Sequence, residues 1–218
     1  LGYERRVYGY SDVEGPTALL GKKELPVLEW ADARGDRRKM AESKDIIEAL
    51  EHSSDGPGRR VVAPQTGRKD LQSWNSRLRK VMNRLTRPRL LQMPIADFAT
   101  EADRQYQMNK YVQRGFNYEE ALASTDALVP RVERLLAEFD RLLPSQGRSL
   151  NEGGWSWDDL NTLPALRVLS CVKPLAWPPR VRKYVEVGRA YAWTISLAVP
   201  PVASRPSASA GRRLTQPP

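Results

Sequence analysis

The sequence predicts an α+β protein in two unequal parts, a small unit of short strands with one clear helix followed by an all-helical unit about twice its size. Three observations carry this. Short stretches rich in aromatic and β-branched residues, bounded by turn residues, fall near the start of the chain. Residues 53–68 hold three glycines and two prolines, a composition that connects rather than packs. From Asp70 onward, apolar residues recur at steps of three and four. A chain of 218 residues, 40% hydrophobic and 28% charged, can bury a core and is not of disordered composition.

The elements follow in order. Residues 4–10 (ERRVYGY) read as a strand running into the turn SDVEGPT. A short helical turn ends at Gly21, and Pro26 opens a second strand, Val27 to Trp30; proline is tolerated there because its missing N–H need not enter the ladder. After ADARGD, RRKM is a candidate hairpin partner. AESKDIIEALEHS is a helix with Glu42 and Ser43 at its start and Ile46, Ile47 and Leu50 on one face. Beyond the connection, Leu71, Trp74, Leu78, Val81, Met82 and Leu85 mark a helix that Arg87-Pro88 is expected to stop. Helices are also predicted from Thr100 to Arg114 and from Asn117 to Ala123. The stripe Leu128, Val132, Leu135, Leu136, Phe139 and Leu142 marks another, ended by Pro144. Ser156-x-x-Asp159 has the spacing of a capping box at the head of a helix from Asp158 to Val172. Pro178-Pro179 precedes a last helix, Val181 to Ile195, and the Pro/Ser/Ala-rich remainder reads as a disordered tail.

Isolated features weigh toward packing rather than chemistry. The single cysteine, Cys171, excludes an internal disulfide and makes a reducing compartment the default. It sits among Leu166, Val168, Leu169 and Val172, as a small core hydrophobe would. The one histidine, His52, follows a helix end, where a cation suits the dipole. No His/Cys/Asp/Glu grouping has metal-ligand spacing, so no metal is expected. The tryptophans fall at helix faces and entries, except Trp30 at a strand end, and are read as core. The apolar stretch Ala190 to Val199 is too short to cross a bilayer. The net charge of +9 favours anions without naming one. Eight basic residues between Arg68 and Arg89, opposed by Asp70 alone, leave three readings open: a solvated face, a face for an acidic partner, and, least favoured for want of stacking aromatics, nucleic acid.

Lys22-Lys23-Glu24-Leu25-Pro26-Val27-Leu28, followed by Glu42-Ser43-Lys44-Asp45-Ile46-Ile47, resembles the glutathione site of thioredoxin-fold transferases and glutaredoxins. The stretches WNSRLRKVMNRLTRPR, DALVPRVERLLAEFDRLL, SWDDLNTLPALRVLS and AWPPRVRKY are similar, in order and spacing, to the glutaredoxin 2 family, glutaredoxins built on the glutathione-transferase plan. The resemblance spans Tyr3 to Ala192. It implies an incomplete thioredoxin-like unit over residues 1–54, a linker over 55–69, an all-α transferase-like unit over 70–198 and a tail over 199–218. It implies that Pro26 is the cis-proline of the fold and that the backbone of Leu25 pairs with the cysteinyl part of glutathione. Glu42 and Ser43 would hold its γ-glutamyl end, and Ser156 and Asp159 would be a structural cap.

The chain departs from the family in one respect. The family's Cys-Pro-x-Cys segment ends a first strand, and strand and segment would both lie ahead of Leu1. Without that central strand, Glu4 to Tyr8 lack a ladder partner, and stability is expected to rest on the helical unit. The implied function is a glutathione-dependent disulfide oxidoreductase whose catalytic thiols are absent from this chain. Its implied partners are glutathione and disulfide-bearing or glutathionylated proteins, with no membrane; the chain is expected to be a cytoplasmic monomer. The alternative is a non-catalytic transferase-like module that presents its basic helix face to an acidic partner.

Overall fold

The computed structural model describes residues 3–53, 62–145 and 147–197. Residues 3–10 form no strand, against the expectation for ERRVYGY. β-propensity needs a neighbour to pair with, and among the described residues the sheet has only two strands. Helix α1 (Glu14–Leu20) ends on Gly21, whose φ of 78° is the left-handed cap conformation, with its N–H on Thr17 O.

Strands β1 (Leu28–Ala31) and β2 (Arg37–Met40) form an antiparallel ribbon with Leu28 opposite Met40. Asp32 fixes its turn, one carboxylate oxygen accepting from the N–H of Arg34 and of Asp36. Helix α2 (Ser43–His52) follows and buries Ile46. Of the expected linker, residues 55–69, the described part begins at residue 62.

Helix α3 (Lys69–Leu90) buries the whole expected stripe except Met82, which is partly covered. It does not stop at Arg87-Pro88. Pro88 lies buried inside it, and the loss of one N–H is borne because the last turn gains other bonds: Thr86 Oγ1 donates to Met82 O and Arg89 Nη1 to Leu85 O. A 3₁₀ turn (Ala96–Phe98) leads to α4 (Glu101–Val112), which Thr100 caps by accepting from Asp103 N. Helix α5 (Tyr118–Ala123), capped by Asn117, leads to α6 (Thr125–Leu142).

Helix α7 (Trp157–Leu169) begins with the predicted capping box. It ends before Val172 because Ser170, Cys171 and Val172 turn back onto carbonyls three residues earlier. Helix α8 (Pro179–Leu197) starts earlier than expected, with proline at the first helical position, where no N–H is needed. The expected tail, 199–218, lies outside the described residues.

The core belongs to the helical part. Trp74 and Leu78 of α3, Leu136 and Phe139 of α6, Leu166 of α7 and Tyr184 of α8 are fully buried in one cluster. The Trp74 and Phe139 rings lie 4.4 Å apart, and Trp74 Nε1 donates to Leu135 O at 2.7 Å, so the indole is buried without an orphaned donor. Asp159 is also fully buried, and every approach to it is a donor: the N–H of Leu150, the N–H and hydroxyl of Ser156, and the hydroxyl of Tyr184. Burial and that carboxylate push the Tyr184 phenol far above its ordinary range. Among the tryptophans Trp30 is an exception, exposed on β1; Trp155, Trp157 and Trp177 are partly covered, and the Trp193 side chain lies outside the described part.

Candidate functional site

The Leu25–Pro26 peptide bond is cis. It lies three residues ahead of β1, while Glu42 and Ser43 follow β2 directly. The ribbon is antiparallel with Leu28 opposite Met40, so both pairs leave it at the same end. Leu25 is 50% exposed, an unusual position for a leucine. Ser43 is the first residue of α2, where backbone N–H groups point out and favour an anion. Glu42 has φ 69° and ψ 111°, a left-handed-region backbone on a non-glycine residue. Such strain costs on the order of 1–3 kcal/mol and gathers at functional positions.

Charge is concentrated at the same end. Lys22 Nζ lies 2.8 Å from Glu24 Oε1. The hydrogen bond and charge of Glu24, with a smaller part from Glu42, raise the Lys22 ammonium above its ordinary range. The other Glu24 oxygen, Oε2, is shielded from solvent and has no hydrogen-bond partner among the described residues. An open cavity of about 650 Å³ lies elsewhere, lined by residues from Leu91 to Arg104, and none of Leu25, Pro26, Glu42 or Ser43 borders it.

The loop before the cis bond is held against the helical part by contacts that sequence reasoning missed. The Tyr10 hydroxyl donates to Gln107 Oε1 at 2.6 Å, and Ser11 N–H donates to Asp103 Oδ1 at 2.7 Å. Lys23 Nζ donates to Tyr10 O and sits 3.9 Å above the Tyr106 ring. Asp103 is held down to about 2, first by the Thr100 hydroxyl and then by the Ser11 N–H. The Tyr10–Gln107 and Ser11–Asp103 partners stand 97 and 92 positions apart, beyond the reach of any local sequence pattern.

The thiol of Cys171 is half-buried against the core, and desolvation raises it despite the opposing charge of Arg89. His52 Nδ1 donates to Glu48 O within the last turn of α2. No group of three His, Cys, Asp or Glu that could hold a metal occurs among the described residues. Half of the basic stretch is engaged internally by polar partners: Arg68 with Asp70, Arg77 with Glu138, Arg84 with Glu120, and Arg89 with Thr125 and Leu85 O. Lys69, Arg79 and Lys80 make no side-chain contact of this kind among the described residues.

Comparison with known proteins agrees with this architecture. The glutaredoxin 2 of Escherichia coli (strain K12) is 30% identical over 176 residues, which is 79% of this chain and 76% of that protein. The same figures hold for glutaredoxin 2 of Escherichia coli O157:H7. The structure of glutaredoxin 2 from Salmonella typhimurium in complex with glutathione superposes with a TM-score of 0.73 at 26% identity, over 87% of this chain and 82% of that one. Residues 70–192 match the family described as glutaredoxin 2, C-terminal domain. With the helical half matched as a domain and the similarity running on into the strand-bearing part, the chain belongs to the glutaredoxin 2 family.

Proposed function

We propose that this chain binds glutathione at the end of the β1–β2 ribbon and serves glutathione-dependent thiol–disulfide chemistry. The observation that carries the reading is the shared position of the exposed cis Leu25–Pro26 segment and the Glu42-Ser43 start of α2. The Leu25 N–H and C=O can pair with the cysteinyl residue of the tripeptide as an added strand would. Ser43 and the first N–H groups of α2 suit the γ-glutamyl carboxylate, and Glu42 suits its ammonium. The solved relative named above holds the same tripeptide.

The chain has one cysteine, so a two-thiol cycle cannot run within it. Cys171, raised by burial, is a poor nucleophile. The chain's part in the chemistry is therefore to seat glutathione. The tripeptide's own thiolate attacks a disulfide to form a mixed disulfide as the other sulfur leaves as a thiolate, or attacks a glutathionylated protein to form glutathione disulfide as the protein thiolate leaves. The reading divides the chain near residues 54 and 70, and takes it to act as a monomer in the cytoplasm. The competing reading, a basic helix face for an acidic partner, is disfavoured because four of the eight arginines and lysines of 68–89 are held by groups of the chain itself.

Calorimetric titration of the full chain with glutathione tests the proposal. Saturable binding is expected, weakened at least about tenfold by Glu42→Ala or Ser43→Ala, which corresponds to the loss of one charge-assisted contact. Heat that does not saturate, or variants that bind like the parent, would overturn it.

A further inference from the structure

Arg87 is treated unlike the other arginines around it. Arg68, Arg77, Arg84 and Arg104 each meet a carboxylate, and Arg89 and Arg180 donate to backbone carbonyls. The half-buried Arg87 has no ion pair and no side-chain hydrogen bond among the described residues. Its guanidinium is instead held between two aromatic rings, 3.8 Å from the centre of Tyr111 and 5.1 Å from that of Phe116. Stacking of this kind fixes the plane of the fork and leaves its edge N–H groups unspent.

The clamp is rigid. Phe116 N–H donates to Tyr111 O at 2.9 Å across the end of α4, and Gly115, at φ 78°, makes the turn that only glycine adopts without strain. A second guanidinium, Arg114, lies 6.0 Å from the centre of the same Tyr111 ring. The Tyr118 ring packs edge-on against Phe116 at 4.9 Å, and its hydroxyl is shielded from solvent with no hydrogen-bond partner among the described residues. The charge of Arg87 acts on that hydroxyl, opposing the rise that burial causes. Glu120 of α5 is held by Arg84.

We propose that Arg87, Arg114 and Tyr118 form a binding site for a phosphate monoester, separate from the end of the ribbon where glutathione is placed. One stacked guanidinium, a second exposed one beside the same Tyr111 ring and a spare hydroxyl donor match a tetrahedral dianion better than a carboxylate monoanion.

The experiment is an NMR titration of the full chain at low ionic strength with inorganic phosphate, and in parallel with acetate. The readouts are the amides of Gly115 and Phe116 and the side-chain Nε–H of Arg87. Saturable shifts with phosphate are expected, with acetate at least tenfold weaker. Arg87→Lys, which keeps the charge but loses the planar fork and its stacking, is expected to weaken phosphate at least fivefold; Arg87→Met is expected to abolish it, and Tyr118→Phe to weaken it severalfold. Absence of saturable shifts in the parent chain overturns the site. So does phosphate binding that survives in Arg87→Lys undiminished, and acetate binding as tight as phosphate overturns the choice of ligand. Should Arg87→Met fail to fold, the parent and the lysine variant still decide the matter.

Discussion

The two parts of the molecule hold themselves together by different means. The helical part has a continuous core from α3, α6, α7 and α8, with Trp74, Phe139 and Tyr184 in mutual contact and a buried carboxylate at its base. The strand-bearing part buries little beyond Pro16, Ile46 and Glu51 among its described residues, and its ribbon is largely exposed. What fastens it is long-range: the hydrogen bonds from Tyr10 to Gln107 and Ser11 to Asp103, and the Tyr10 ring set edge-on against Phe98 and Tyr106. The half that supplies stability is therefore not the half that presents the candidate glutathione site.

The sharpest way to break that contrast is Trp74→Ala. It removes a fully buried side chain that packs on Phe139 and is expected to cost about 3–5 kcal/mol, read as a large drop in the main thermal transition. A transition that stays in place would show that the core does not carry the fold. Next comes Ser156→Ala. The serine hydroxyl accepts from Asp158 N and from Asn151 Nδ2 at 2.8 Å and donates to Asp159, and its loss should lower stability by about 1–2 kcal/mol in denaturant titration.

The latch is expected to show a smaller, pH-dependent effect. The Asp103 carboxyl lies at about 2 in the fold against an ordinary 3.8, so its ionised form is favoured by folding. The stabilisation is present above the ordinary value and is lost as pH falls through the range between 3.8 and about 2. Hydrogen exchange at Ser11 N–H should accelerate across that window, and Asp103→Asn should remove the dependence. Exchange that ignores pH beyond its intrinsic chemistry would remove the latch from the account. Smallest of all is Ile46→Ala. It should leave the main transition unmoved and speed exchange only within α2, whereas a shift of the whole transition would show that the two parts unfold as one.

How far the sequence could be read follows from the range of the interactions. The stripes of α3 and α6 and the Ser156–Asp159 box are local patterns, and they appear in the structure as expected. The segment 4–10 has strand composition but no strand, because a ladder requires a partner that composition cannot supply. Pro88 was misjudged because a breaker can be tolerated where its side chain is buried and the last turn is bonded otherwise. At the candidate site, the cis bond followed from family resemblance, while the left-handed Glu42 has no sequence mark, since glycine is the residue that advertises that conformation. The latch was out of reach because its two sides stand 92 and 97 positions apart.

The segment ahead of α3 carries a further consequence. Ala63 N–H donates to Trp155 O and Ala63 O accepts from Trp157 N–H, while Thr66 donates twice to Asp158, so a few residues are stitched to the head of α7 across an interval of 92 positions. Under mechanical tension between the two halves, this stitch takes the load before α3 does. A pull on the ribbon loads these four hydrogen bonds together with the Tyr10 and Ser11 contacts, sparing the aromatic core until they have parted.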